Sequence, residues 1–300
     1  MLVSAIITTC KREPELVERA LRSVINQKYN KIEIVVVDDS PDDYPLRNLV
    51  KDKVLSYKSI VSNLKYVMHQ KNLGACAARN TGVAESNGEI LGFLDDDDEW
   101  TPNKVEVMIG RFQDQEVGLV YGNNILINDD TGEEKVVIRN EITGKIYDKL
   151  ILENFIGSTS FPLIRRESLV AVGGFDVNMQ SAQDVDLYLR ISRKYSIDYV
   201  NAIIARYHIN RGKRISSDVE KKIAGLERLN KKNQEYINAN KNAFWIRNMK
   251  LIPYYTKNRD ISKAYSIWSI CVKRHPQKLM GNIKYLICMV FGYVKSVCRQ

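Results

Sequence analysis

Residues 89–102 read EILGFLDDDDEWTP. An apolar run from Ile90 to Leu94 stops on four consecutive acids, Asp95, Asp96, Asp97 and Asp98. Four like charges at one point repel unless water, helix N-terminal amides or a cation compensates them. The apolar run predicts a strand. A second stretch repeats the pattern: IEIVVVDDS, residues 32–40, ends on Asp38 and Asp39. Its apolar character is continuous rather than alternating, as in a central parallel strand covered on both faces.

Outward from these two strands the chain alternates. Ser4 to Thr9 predicts a first strand. Pro14 to Asn26 predicts a helix, with proline in the first turn, Glu13 and Glu15 at its positive end, and Leu16, Ala20 and Val24 spaced by four. NLKYVMH predicts another strand, and GACAARNTGVAESNG a helix that stops at Gly88. This β-α-β order predicts an α/β fold, a doubly wound and mostly parallel sheet with helices on both faces. Ligands of such sheets bind at the carboxyl ends of the strands, so both acidic clusters are expected to face one crevice.

GLVYGNNILIN predicts a strand, GEEKVVIRN a turn and strand, and Asp184 to Lys194 an amphipathic helix. After about Arg214 the composition shifts toward Lys, Asn, Tyr and Ile at helical spacing. The expected organisation is an α/β domain over 1–214 and a helical region over 215–300. Near the end, Tyr285 to Val294 forms an apolar run bounded by Lys284 and Lys295. It falls short of the ~20 apolar residues of a spanning helix. It reads as a packed helix or, with Lys278 and Arg299, as a segment lying in an anionic membrane interface.

The 300 residues are 44% hydrophobic and 27% charged, a globular balance. The net charge of +9 favours anionic partners. Five cysteines with no Cys-x-x-Cys pair argue against a disulfide framework or a zinc site and fit a reducing, cytoplasmic setting, with a place on the inner face of the membrane as the peripheral variant. Adjacent carboxylates suit a hard cation, Mn²⁺ or Mg²⁺. On an extended segment Asp95 and Asp97 point to one side, Asp96 and Asp98 to the other. The competing reading is a solvated acidic loop, or caps for a helix after Pro102.

The stretches SAIITTCKREPELVERALRSVINQ, IEIVVVDDS, NLGACAARNTGVAESNGEILGFLDDDDEWTP and VGGFDVNMQSAQDVDLYLRI, in this order, resemble the family 2 glycosyltransferases. The resemblance covers roughly residues 3–210. It implies a GT-A fold and inverting sugar transfer from a nucleotide-diphosphate donor, UDP-linked, to a saccharide or lipid-linked acceptor in surface polysaccharide synthesis. It further implies donor contacts at Thr8, at Asp39 (on the uracil edge) and at Asp96 (on ribose or sugar). Asp95 and Asp97 match the metal element, and Asp184 the general base. Gln183 stands where the family has glutamate. Arg79 either faces the diphosphate or ties its helix to the acidic loop. His208 is an additional candidate for the diphosphate or metal, or else a surface or core histidine. Arg211, Lys213 and Arg214 make a basic loop beside it. Asp98 and Asp186 read as helix-start acids, and Trp100 as packing.

Two other classes remain in play. A metal-dependent nucleotidyltransferase would need a glycine-bearing phosphate loop near the first strand, which TTCKREPE lacks. A non-enzymatic basic module for membrane or nucleic acid would use the positive charge. The acids at two strand ends argue against nucleic acid in the N-terminal half.

Overall fold

The computed structural model describes residues 1–209 and 218–277. The basic loop at Arg211–Arg214 and the run at Tyr285–Val294 lie outside these residues.

In chain order the strands are β1 (Val3–Thr9), β2 (Ile32–Asp38), β3 (Leu64–Met68), β4 (Ile90–Asp95), β5 (Glu99–Trp100), β6 (Val117–Asn128), β7 (Glu133–Val137), β8 (Leu163–Arg165) and β9 (Ser196–Ile209). The helices that bear on the site are α1 (Pro14–Ile25), α2 (Arg47–Leu55), α3 (Ala75–Ala84), α4 (Lys104–Ile109), α5 (Tyr147–Leu150), α6 (Arg166–Ala171) and α7 (Gln183–Ser192). One sheet runs in the order β3-β2-β1-β4-β8-β6-β9-β5, with β7 beside β6.

The first four strands of that order are parallel, as the continuous apolar runs predicted. Beyond β4 the sheet is mixed. The three-residue β8 pairs antiparallel with both β4 and β6, and β6 and β9 run parallel. Both faces of the parallel part are covered. Val3, Ala5 and Ile7 share a cluster with Val17, Ala20, Leu21 and Val24 of α1, while Val35 and Val37 pack on Ala78 of α3. The register places Thr8 opposite both Val37 and Asp95. The carboxyl ends of β1, β2 and β4 thereby form one rim.

Helix α3 lies close to β1. A Cβ on Gly82 would come within 2.3 Å of Ile6 Cγ2, so only glycine allows this approach. The helix ends at Ala84 rather than at Gly88.

The chain forms two compact units. The first comprises Met1–Tyr147, Asn154–Val177 and the residues from Asp184. The second comprises Asp148–Glu153, Asn178–Gln183 and the described residues from Asp218. It contains α8 (Val219–Lys232), α9 (Gln234–Ala239), α10 (Lys241–Met249), α11 (Ile252–Lys257) and α12 (Ile261–Arg274). Asp218 and Asp260 cap α8 and α12 through their side chains. No helix among the described residues is long and apolar enough to cross a membrane.

The α3–β1 contact generates a test. Gly82→Ala forces Ile6 or the helix to shift, and overpacking of this kind costs about 1–3 kcal/mol. Urea unfolding is expected to show that loss; an unchanged midpoint would contradict the close approach.

Candidate active site

The acidic turn begins where β4 ends. Asp98 N–H donates to Asp95 O at 3.0 Å, closing the turn. The alternation read from the sequence holds through it. The side chains of Asp95 and Asp97 are 30% and 21% exposed, whereas Asp96 is 6% exposed and Asp98 is fully buried.

Each acid is compensated differently. Arg79 Nη2 donates to Asp95 Oδ1 at 2.7 Å, so Arg79 does tie its helix to the acidic loop. Thr159 Oγ1 also lies 3.3 Å from Asp95 Oδ2. Arg12, on the loop between β1 and α1, bridges two acids. Its Nε donates to Asp96 Oδ1 and its Nη2 to Asp97 Oδ2, both at 2.9 Å. Arg19 Nη2 holds the Asp97 carbonyl at 2.7 Å. Burial nevertheless pushes Asp96 up to about 7, against the pull of Arg12.

Asp98 corrects the sequence reading. It starts no helix: α4 begins only at Lys104, with Asn103 before it. Instead Asp98 accepts from Ser160 Oγ at 2.6 Å and from His208 N–H at 3.2 Å. Burial drives its carboxyl well above the ordinary range. Beneath it lies Lys104, also fully buried. Its Nζ donates to Ser160 O and Phe161 O at 2.7 Å and sits 4.4 Å from the centre of the Trp100 ring. Desolvation holds this amine well below its usual value. Trp100 is core, as read.

Asp39 closes the neighbouring strand end. Its N–H donates to Thr9 O at 2.8 Å. Its carboxylate accepts from Leu73 N–H (2.7 Å) and Gly74 N–H (2.8 Å), and meets His69 Nδ1 at 2.7 Å. A carboxylate has about four acceptor positions, so these three partners leave capacity for one more donor. Thr8 is half-buried, level with Val37 on one side and Asp95 on the other.

Asp184 stands in the first turn of α7, and Asn154 Nδ2 donates to its Oδ2 at 3.3 Å. Arg79 is stabilised as a cation by both Asp95 and Asp184. Asp184 and Asp95 also both raise buried Tyr188, whose hydroxyl donates to Ser158 O at 3.0 Å. Both carboxylates therefore lie near enough to act on Arg79 and Tyr188, from elements almost ninety residues apart. Gln183 turns back and donates to Met179 O at 3.0 Å. Asp186 is a first-turn acid as read, paired with Arg190 at 2.8 Å.

His208, near the end of β9, is buried. Its Nδ1 meets Asp129 Oδ1 at 2.6 Å and its Nε2 meets Glu99 Oε1 at 2.9 Å. Burial disfavours its charge, but the two carboxylates outweigh burial and raise its pKa.

Several residues escaped the sequence reading: Arg12, Asn154, Thr159, Ser160, Lys104 and Tyr188. Arg12 alone carried a signal, as a cation between the first strand end and the helix-starting Pro14. Nothing in a sequence marks a lysine as fully buried. As a set, the residues present two partly exposed carboxylates as hard oxygen donors, a desolvated arginine, and a third carboxylate, Asp184, acting on that arginine. Among the described residues no group of three or more His, Cys, Asp or Glu is set for a metal by itself. Mg²⁺ typically takes one or two carboxylates and completes its shell with phosphate and water, so the donor set fits.

The profile of the family described as Glycosyl transferase family 2 matches residues 4–173. The chain belongs to that family. It is a glycosyltransferase. Among its relatives is the UDP-Glc:alpha-D-GlcNAc-diphosphoundecaprenol beta-1,3-glucosyltransferase WfgD of Escherichia coli. The two are 29% identical over 224 residues, covering 74% of this chain and 82% of WfgD. The Bacillus subtilis (strain 168) glycosyltransferase YwdF is 29% identical over 208 residues, covering 67% of this chain and 71% of YwdF. Among solved structures, S. aureus TarS 1-349 in complex with UDP-GlcNAc superposes with a TM-score of 0.57. Identity is 16%, and the match covers 92% of this chain and 89% of that one. The fold of the glycosyltransferase is thus of the GT-A type.

The His208 clamp yields a pH test. A histidine whose folded pKa is raised contributes its full stability below the unfolded value of about 6.5. That contribution is lost as pH rises through the folded value. The melting temperature of wild type relative to His208→Gln is expected to be higher by more at pH 6 than at pH 9. A difference independent of pH would contradict the charged clamp.

Proposed function

We propose that this glycosyltransferase is inverting and metal-dependent, and that it moves a sugar from a UDP-sugar to a saccharide or lipid-linked saccharide acceptor. The observation that carries the reading is the convergence of Asp95 and Asp184 on Arg79 and Tyr188 at the carboxyl rim of the sheet. Displacement at an anomeric carbon needs charge stabilisation for the leaving diphosphate on one side and a proton acceptor on the other. The rim offers both.

In this reading Asp39 accepts the imide N–H of uracil through its remaining acceptor position. Thr8 lines the nucleotide, and Asp96 touches the ribose or sugar. Asp97, with Asp95, would hold Mn²⁺ or Mg²⁺. The cation, when bound, supplies positive charge to the diphosphate. Arg79 lies where it can add to that charge. Asp184 takes the proton of the acceptor hydroxyl as its oxygen attacks, and Asn154 orients the carboxylate.

Support for the donor comes from TarS, solved with UDP-GlcNAc, and from WfgD, named for a UDP-Glc donor. Support for a lipid-linked acceptor comes from WfgD, whose named acceptor is alpha-D-GlcNAc-diphosphoundecaprenol. An acceptor of that class would bring the chain to a membrane surface, where a net charge of +9 favours anionic headgroups.

The general base separates chemistry from binding. Asp184→Asn keeps the size of the side chain but removes its basicity. UDP-sugar affinity is expected to survive while kcat falls by about 10²–10⁴-fold. The product should carry the anomeric configuration opposite to the donor's. Near-normal turnover, or a product of retained configuration, would refute the assignment.

A further inference from the structure

We propose that Arg12 is the residue that opposes cation binding at the acidic turn until a nucleotide diphosphate arrives, and that its guanidinium then passes to the diphosphate. This rests on the reading of Asp95 and Asp97 as the cation's ligands.

Arg12 spans two acids of the turn, whereas Arg79 pairs with Asp95. The two donors of Arg12 reach Asp96 and Asp97 at 2.9 Å each, so one guanidinium spans a buried acid and a partly exposed one. A divalent cation on Asp97 would share a carboxylate with that positive charge. Like charges this close repel, so the cation and the Arg12 bridge are alternatives.

The surroundings confine the change to the side chain. Lys11 N–H donates to Ser40 Oγ at 2.8 Å, with Lys11 in the left-handed region at φ 54°. Two residues after Arg12, Pro14 opens α1. The backbone on both sides of Arg12 is thus anchored, whereas its side chain is 33% exposed. On the other side of the bridge, Arg19 grips the Asp97 carbonyl rather than its carboxylate. The turn accordingly keeps a tether when Arg12 leaves.

A diphosphate resolves the conflict. It carries the negative charge that both the cation and the guanidinium require. Its oxygens also match the planar fork of arginine, which binds phosphate in a bidentate manner. Cation and nucleotide then favour each other by the same factor in either order of addition, as linkage demands. In the absence of nucleotide the turn remains neutralised by its own arginine.

The test measures Mn²⁺ binding directly, from the electron paramagnetic resonance signal of the free ion, with and without UDP. Wild type is expected to bind Mn²⁺ weakly alone and on the order of tenfold more tightly with UDP. Arg12→Gln removes the charge at similar length. It should bind Mn²⁺ alone on the order of tenfold more tightly than wild type, and UDP should add little. Arg12→Lys keeps a charge without the bidentate bridge and should fall between the two; it carries the test if the glutamine variant does not fold. Strong UDP coupling in wild type, with no gain in Mn²⁺ affinity for either variant, would overturn the role of Arg12 alone. No Mn²⁺ binding to wild type even with UDP would overturn the cation site and this proposal with it.

Discussion

Everything at the rim depends on keeping four adjacent carboxylates in one turn. Charges so close cannot all stay ionised without compensation. The fold divides the problem by side. Asp96 and Asp98 turn inward, where burial raises both and hydrogen bonds hold them. Asp95 and Asp97 turn outward and take arginines from two different segments, Arg79 on α3 and Arg12 on the loop before α1. The loop from Ser158 to Phe161 joins this arrangement from below. Lys104 fixes its carbonyls, while Thr159 and Ser160 present hydroxyls to Asp95 and Asp98. A buried amine close to a buried acid is costly to assemble and strongly specifies one geometry.

Parallel strands explain why the acids of β4 meet the ends of β1 and β2 at all. With β1 between β2 and β4, residues at three strand ends become lateral neighbours despite long sequence separation. The Asp39 carboxylate uses that placement twice. It fixes the entry to α3 through Leu73 and Gly74, the latter at φ 90°, and it remains at the rim itself. Because α3 also carries Arg79, the second strand end helps to set the charge at the fourth.

The parallel half of the fold was legible because its strands are continuous apolar runs punctuated by acids, and because α1 is amphipathic. The antiparallel β8 was not, since three residues carry no periodicity. The 14-residue β9 was missed for a different reason. Its pattern SIDYVNAIIARYHI is interrupted where its register against β6 shifts, near Gly122 and Asn123. In the site, the facing of Asp95 and Asp97 followed from strand alternation alone. Asp98 misled, because an acid shortly before a helix resembles a cap until its burial is known. His208 likewise gave no hint that both ring nitrogens would meet carboxylates from β5 and the end of β6. Family likeness pointed to Asp184; only the fold shows that it and Asp95 act on the same arginine.

In the proposed reaction the outward-facing acids of this turn hold a cation against a nucleotide diphosphate. The most direct measurement is a crystal structure with Mn²⁺ and UDP, recorded at the manganese absorption edge. The account predicts one anomalous peak in contact with Asp97 and the diphosphate, with Arg12 turned away from Asp97. UDP bound at the rim with no manganese peak beside Asp95 or Asp97 would contradict it.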